Sequence, residues 1–272
     1  VLVKQFIAVD YSNVFMRGFY GSRRTTEEGV PIGGVEAVLK SVSSHMIKYR
    51  TSKIVVCMDT PPYDRKKKYS NYKSDRKPME PELLANLQDS KKIGDVMLKM
   101  LGIPVWSVAG MEGDDLLAAY AKKHRKKPHK RVILVATDDD LYQCLHPRVL
   151  LSTKNGTFTL SSFKALHPEL DPHDWPLRTA FVGSHNGVPG VKGIGPVGAK
   201  KLFLDEVLLQ KAYAIHKKDV DMYQDLAVLP FTKIKVPAFV WGTGYNERKF
   251  TTWCDSLGVY VDNQILSAFR GV

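Results

Sequence analysis

Phe6-Ile7-Ala8-Val9-Asp10 is an apolar run closed by a carboxylate, and the chain uses the same device twice more. Ile54-Val55-Val56-Cys57-Met58 ends at Asp59, and Val132-Ile133-Leu134-Val135-Ala136 leads past Thr137 to Asp138 and Asp140. Short apolar runs of this kind read as buried strands. In a parallel α/β sheet the carboxyl ends of the strands share one edge, and ligands bind there. The acids therefore converge in space while lying far apart in the chain. Glu112, Asp114 and Asp115, at the head of a helix-like stretch, join them. So many carboxylates repel one another unless cations sit among them, and hard divalent ions such as Mg²⁺ take oxygen ligands. The pattern points to metal-dependent phosphate chemistry.

Outward from these runs, strands alternate with helices. Val35, Val38, Leu39, Val42 and Met46 recur at helical spacing over 34–49. A strand over 53–58 follows, then Pro61-Pro62 breaks the pattern. Leu83, Leu84, Leu87, Ile93, Val96, Met97 and Met100 predict an amphipathic helix over 80–101. A short strand at Val105–Val108, a helix from Glu112 to about Lys123, a strand over 131–136 and a helix through Leu141 and Leu145 come next. Extended pieces at 149–152 and 157–160 flank Asn155-Gly156, a hairpin signal. Alternation over about the first 160 residues predicts a mostly parallel central sheet flanked by helices. The remainder reads as mainly helical, with a Gly-rich turn at 187–198. The expected organisation is a 1–160 α/β core and a 161–272 mainly helical region.

The 272 residues are 44% hydrophobic, enough for a real core. No apolar run reaches bilayer length and the N-terminus lacks a signal-peptide plan, so the expectation is a soluble, cytoplasmic chain. Cys57, Cys144 and Cys254 form no paired motif and read as reduced thiols. A net charge of +12 favours a polyanionic partner, nucleic acid ahead of a membrane surface. Basic residues cluster at 63–77, interleaved with Tyr63, Tyr69 and Tyr72, and again from Lys122 to Arg131. The second stretch has an equally good reading as a solvated loop. An acidic pocket in a basic protein suits a nuclease or polymerase better than a plain binder.

Taken singly, each acid has an ordinary structural reading. Asp138 or Asp139 is a fitting helix cap, and Glu112 a fitting acid for a first helical turn. The joint pattern is more specific. Val9-Asp10-Tyr11-Ser12-Asn13, Met58-Asp59, Tyr72-Lys73-Ser74-Asp75-Arg76, Glu112-Gly113-Asp114-Asp115, Thr137-Asp138-Asp139-Asp140 and Pro189-Gly190-Val191-Lys192-Gly193-Ile194-Gly195 occur in order. With them the chain resembles the structure-specific 5′-nuclease family: flap endonucleases, phage 5′→3′ exonucleases and the 5′-nuclease domains of bacterial DNA polymerase I. A haloacid-type phosphatase is a rival for Asp10, but that chemistry needs a second Asp where Ser12 stands.

The resemblance implies a PIN-like core with a helical arch at about 60–80. It implies a first metal site built by Asp10, Asp59, Glu112 and Asp114, and a second served by Asp115, Asp138 and Asp140. Mg²⁺ or Mn²⁺ would lower the pKa of a water and polarise the scissile phosphate, leaving a 5′-phosphate and a 3′-hydroxyl. The family completes the second site with a Gly-Asp-x-x-Asp-Asn stretch. Here Val182-Gly183-Ser184-His185-Asn186-Gly187 stands instead, and no Asp or Glu occurs from Pro176 to Leu204. One ion is expected to be held firmly and a second weakly.

The basic stretch at 63–77 matches the family's arch, through which a single-stranded 5′ end passes. Independently, cations follow phosphates and aromatic faces stack on unpaired bases. Arg65, Lys66 and Tyr72 are candidate DNA contacts, and Lys73 and Arg76, spaced to share a helix face, are candidate catalytic electrophiles. Arg17 matches a family arginine near the 5′ phosphate. The turn resembles a helix–hairpin–helix motif over 187–204. Gly190, Gly193 and Gly195 let backbone approach phosphate, and Lys192, Lys200 and Lys201 add charge. The resemblance also implies a K⁺ ion held by carbonyls there.

The leading expectation is a monomeric 5′ nuclease acting on DNA with a 5′ flap or free 5′ end, in a bacterial or phage-infected cell. A flap-binding protein with reduced or lost catalysis is the alternative, motivated by the missing acids. A ribonuclease of the related single-domain metal nucleases, acting on RNA 5′ ends, is the third, and the long C-terminal region with its duplex-gripping motif argues against it.

Overall fold

A computed structural model describes residues 3–74, 77–184, 187–242 and 244–270. The chain runs β1 (Lys4–Asp10), α1 (Tyr11–Gly21), α2 (Gly33–Tyr49), β2 (Ile54–Met58), α3 (Asp64–Lys68), α4 (Pro81–Met100), β3 (Val105–Ser107), α5 (Gly113–His124) and β4 (Lys130–Val135). A 3-10 turn (Asp139–Cys144) leads to β5 (Val149–Thr153), β6 (Gly156–Phe158) and α6 (Leu160–Leu166). A second 3-10 turn (Pro172–Asp174) precedes α7 (Trp175–Val182), α8 (Pro196–Leu204), α9 (Glu206–Ala227), α10 (Glu247–Leu257) and α11 (Asn263–Ser267).

The strands form one sheet in the order β3-β2-β1-β4-β5-β6. All neighbours are parallel except β5 and β6, which form the hairpin around Asn155-Gly156. The strands alternate, and both faces are covered. Ile7, Val9, Ile54, Val56, Ile133 and Val135 face a core shared with α1, α2, α4, α10 and α11. Phe6, Ala8, Val55, Cys57, Val132 and Leu134 face a second core shared with α5 and α6. Each fully buried Val or Leu contributes roughly 1.5–3 kcal/mol, so register slips that reverse the faces are excluded. Register pairs Asp10 with Cys57 and Val9 with Val135, which brings the ends of β1, β2 and β4 to one edge.

Three local features differ from the sequence expectation. Residues 11–21 are a helix, α1, which a reading of strands and acids does not contain. Asp10 Oδ1 accepts the Asn13 amide at 2.9 Å as its N-cap, and Tyr11, Val14, Phe15 and Phe19 turn one face inward. The stretch through Leu141 and Leu145 is a 3-10 turn because the Asp138 side chain takes the Asp140 amide and tightens the chain at its start. Lys73 lies in a turn with φ 53° and not on a helix; Arg76 and its place on a shared face lie outside the described residues.

In the C-terminal half, α7, a glycine-rich turn and α8 form a helix–hairpin–helix arrangement, with Pro196 in the first turn of α8. Gly190 has φ 77°, and a β-carbon there would lie 2.5 Å from the Gly183 nitrogen, so only glycine closes this turn. Phe250 and Cys254 of α10, Leu266 of α11 and Phe269 just after it return to the core of β1. Among the described residues no helix is long and apolar enough to cross a membrane.

Candidate active site

The edge formed by the ends of β1, β2 and β4 meets the N-terminus of α5. Asp10 leaves β1 and is 7% exposed. Asp59 lies one residue past β2, and its Oδ1 accepts the Gly113 amide at 2.6 Å. A side chain at Gly113 would press within 3.3 Å of Asp59 Oδ1 and 3.4 Å of Asp10 Oδ1, so the glycine lets both carboxylates close on the helix start. Asp114 projects from the first turn of α5 and Asp138 from the end of β4. Asn13 Nδ2 donates to Thr137 Oγ1 at 2.8 Å and ties the two strand ends together.

These acids act on one another. Burial, then the Asp59 carboxylate, pushes the Asp10 carboxyl up to about 7. Burial, with Asp10 and Asp138 close by, holds Asp114 well above the ordinary carboxylate range. Asp114 Oδ1 is buried with no hydrogen-bond partner among the described residues. Buried oxygens are normally satisfied, and a hard cation is the partner that suits this one. The surrounding donors are all carboxylate, which fits Mg²⁺ or Mn²⁺ better than a soft metal. Among the described residues, no three of the strand-end acids have oxygens all within 4.8 Å of one another. Asp171, His173 and Asp174 do, but they are largely exposed. Asp171 and Asp174 form a capping box, and Asp171 also pairs with Lys164, so that trio has a structural account.

Glu112 and Asp115 occupy a different environment. Arg65, 3% exposed, spends its guanidinium on them. Nη1 donates to Glu112 Oε2 at 3.0 Å and Asp115 Oδ2 at 2.7 Å, and Nη2 donates to Asp115 Oδ1 at 2.8 Å. Its remaining donors reach the Leu226 and Val228 carbonyls, each at 3.0 Å. Asp115 also accepts the Glu112 and Phe231 amides. Tyr72 donates its hydroxyl to Glu112 Oε2 at 2.9 Å, and Lys73 Nζ pairs with Glu112 Oε1. Burial alone raises Glu112, but Lys73 and Arg65 outweigh it and hold the carboxyl below its usual range.

Beside Asp138 and Asp140 lies a cleft of about 390 Å³, also lined by Asn13, Thr179, Gly183 and Ser184. The side of it facing α7 presents Arg178, whose guanidinium carbon stacks 4.5 Å from the Trp175 ring. Of the second-site candidates, Asp138 and Asp140 border this cleft, whereas Asp115 is turned into the Arg65 network. His185 and Asn186 lie outside the described residues.

The candidate DNA contacts divide in the same way. Arg17, Lys66, Lys192, Lys200 and Lys201 are exposed, as are Gly193 and Gly195. Arg65 and Tyr72, expected to touch DNA, instead point inward, Arg65 to the two acids and Tyr72 to a small core with Val188 and Leu226. Burial desolvates both, and their polar atoms are already bonded, so neither offers a face to a phosphate or a base. Lys73 stays beside the site, 4.9 Å from the Tyr72 ring centre. Sequence reasoning misses Arg65 as an internal cation, Gly113 as a spacer and Arg178 as a cleft residue. One further basic residue in a basic run carries no local mark of its burial.

The profile of a family described as "5′-3′ exonuclease, N-terminal resolvase-like domain" matches residues 5–167. The thermostable DNA polymerase I of Thermus aquaticus is 32% identical over 198 residues, covering 72% of this chain and 23% of that protein. The chain thus spans about a quarter of that polymerase's length. A 5′-3′ exonuclease of Aquifex aeolicus is 28% identical over 198 residues, covering 71% of this chain and 67% of that one. Among solved structures, a bacteriophage T5 flap endonuclease in a pseudo-enzyme-product complex with DNA and metal ions superposes with a TM-score of 0.67 at 18% identity. That match covers 98% of this chain and 97% of the other, and at this identity it speaks for the fold.

Proposed function

The chain belongs to the 5′-3′ exonuclease family, and we propose that it is a divalent-metal-dependent 5′ nuclease that cuts DNA at 5′ flaps and free 5′ ends. The observation that carries this reading is that Asp10, Asp59 and Asp138 crowd Asp114, which keeps a buried oxygen with no partner among the described residues, while the neighbouring Glu112 holds Lys73.

On this reading Asp10, Asp59, Asp114 and Asp138 hold Mg²⁺ or Mn²⁺, with Glu112 close behind. When bound, such an ion lowers the pKa of a water and stabilises charge on the scissile phosphate. Glu112 sets the position of Lys73, and on this reading the Lys73 ammonium meets an oxygen of the scissile phosphate. Arg76 is proposed to act with it. Arg17 and Lys66 follow the 5′ strand, and Gly190, Lys192, Gly193, Gly195, Lys200 and Lys201 hold the duplex through its phosphates, without reading bases. A K⁺ ion among the turn's carbonyls belongs to the same proposal, as do the core and DNA-binding halves at 1–160 and 161–272, a monomeric state and a cytoplasmic setting. The named structural neighbour was solved with DNA and metal ions, which supports both partners.

The second metal position is proposed to be weak. Asp115 is committed to Arg65, and the cleft beyond Asp138 and Asp140 presents Arg178. The same feature favours the second reading, a flap-binding protein with reduced cutting. Incubation with a 5′-flap duplex and Mg²⁺ or Mn²⁺ separates the two. Cleavage abolished by Asp10→Ala supports the nuclease; tight binding with cutting no faster than that variant rejects it. Competition with an RNA-flap duplex tests the strand preference.

A further inference from the structure

A second feature of the molecule lies outside the acidic edge. Between the C-terminal end of α5 and residues 228–236 runs a groove of about 700 Å³. Phe231 and Ile234 contribute to its apolar lining, and the exposed lysines Lys122, Lys126, Lys233 and Lys235 border it. Among the described residues no Asp or Glu lines it.

The wall at 228–236 has no regular secondary structure, yet it is pinned. The Leu229 amide donates to Gln143 Oε1 at 2.8 Å, the Phe231 amide to Asp115 Oδ1 at 2.8 Å, and Lys123 Nζ crosses to the Val236 carbonyl at 2.8 Å. The groove is therefore preformed, and Lys123 serves as its staple, leaving the other four lysines to face solvent. Its upper end is continuous with the basic segment after β2. Phe231 lies 4.9 Å from the Arg65 guanidinium carbon and 5.6 Å from Lys68 Nζ. From Asp115 to Lys122 along α5 is about 10 Å at helical rise, so the groove starts beside the acidic edge and leads away from it.

We propose that this groove takes the single-stranded 5′ arm of the substrate after it has passed the basic segment at 63–77, its phosphates on Lys122, Lys126, Lys233 and Lys235 and its bases over the apolar lining. The inference rests on the 5′-nuclease reading and extends its substrate contact to a separate surface. Charge decides the occupant: four exposed cations over apolar surface suit a polyanion with flat apolar bases, and Phe231 brings the groove up to Lys68 of the basic segment.

The test uses the full chain in EDTA, where metal-dependent cutting does not intervene. Binding is measured by fluorescence anisotropy to flap duplexes with a short 5′ arm and with one several times longer. Wild type binds the long arm more tightly. The variant Lys122→Ala, Lys126→Ala, Lys233→Ala, Lys235→Ala loses about tenfold on the long arm, and its salt slope falls by about 0.7 for each phosphate no longer engaged. Its short-arm affinity and its melting temperature stay as in wild type. Equal affinity of wild type for both arms, equal loss on both arms, or competition by poly-glutamate but not by free single strand overturns the groove assignment alone. Failure of wild type to bind either duplex overturns the nuclease reading and this one with it.

Discussion

Arg65 grips Asp115 with two parallel hydrogen bonds, Nη1 to Oδ2 at 2.7 Å and Nη2 to Oδ1 at 2.8 Å, in a site where both side chains are at most 3% exposed. The pair joins α3 to the first turn of α5 and, through the Leu226 and Val228 carbonyls, to the end of α9. Removing one member leaves a buried charge without its partner, which costs about 3–5 kcal/mol. Arg65→Ala is expected to lose that much in urea unfolding. Arg65→Met combined with Asp115→Leu should lose less than the sum of the two single changes, because the orphan charge goes with its partner. Additive losses would show that the pair does not act as a unit.

Asp10 makes the metal-free protein pH-sensitive. Its folded carboxyl titrates at about 7 against an unfolded value of 3.8, because burial and then Asp59 disfavour its charge. A raised folded pKa contributes stability that is fully present below the unfolded value and lost as pH rises through the folded one. Asp114 shifts in the same direction. Glu112 shifts the other way and loses its contribution only on the acid side of its ordinary range. In EDTA, melting temperature should fall as pH rises from about 4 to about 7. Mg²⁺ should raise it more at the upper end, since it binds the deprotonated carboxylates. A flat profile in EDTA would contradict the crowding of these acids.

Asp114→Asn tests the same crowding from the other side. It replaces a carboxyl whose ionisation burial, Asp10, Asp138 and Asp59 all oppose with a neutral amide of the same shape. In EDTA at neutral pH the variant should be more stable than wild type by about 1 kcal/mol, a gain typical of relieving strain built into a site. Mg²⁺ should then stabilise it less than wild type, and flap cleavage should be lost. Chemical denaturation with and without Mg²⁺, beside a cleavage assay, reads all three.

Lys73 is expected to act on the transition state. Lys73→Ala should lower single-turnover cleavage by about 10²- to 10³-fold, the usual loss for one preorganised electrostatic donor. Duplex affinity should change little. A variant that binds several-fold more weakly yet turns over at the wild-type rate at saturation would assign Lys73 to binding instead.

Gly187 couples the hairpin to the Lys73 turn. It has φ 92°, and a β-carbon there would lie 2.8 Å from the Lys73 backbone nitrogen. Gly187→Ala should cost about 1–3 kcal/mol in stability through backbone strain and the clash. Gly193 has φ 85° but open space around it, so Gly193→Ala should cost the strain alone. Equal losses at the two positions would show that the close approach to Lys73 carries no weight.

Much of the architecture is legible in single stretches. Continuous apolar runs at 6–10, 54–58 and 132–136 mark strands buried on both faces, and the turn Asn155-Gly156 announces its hairpin. Helix α1 is harder to see because its first signal, Asp10, serves as cap and as site acid at once, and the site role masks the cap. The basic segment at 63–77 reads as uniformly outward. Composition cannot say which of several adjacent side chains turns in, and Arg65 and Tyr72 do.

The order of residues along the chain determined that acids stand at the ends of parallel strands, because strand period and strand ends are local properties. Tertiary structure alone decided which of those oxygens are spent and which are open. Asp115 is saturated by Arg65, 50 positions away, and by Phe231, 116 positions away, while the neighbouring Asp114 keeps a buried oxygen with no partner among the described residues. The two residues are adjacent and of the same type. Their difference arises from a helical turn that points one toward the guanidinium and the other toward three like charges, and from hydrogen bonds that form only when distant segments pack.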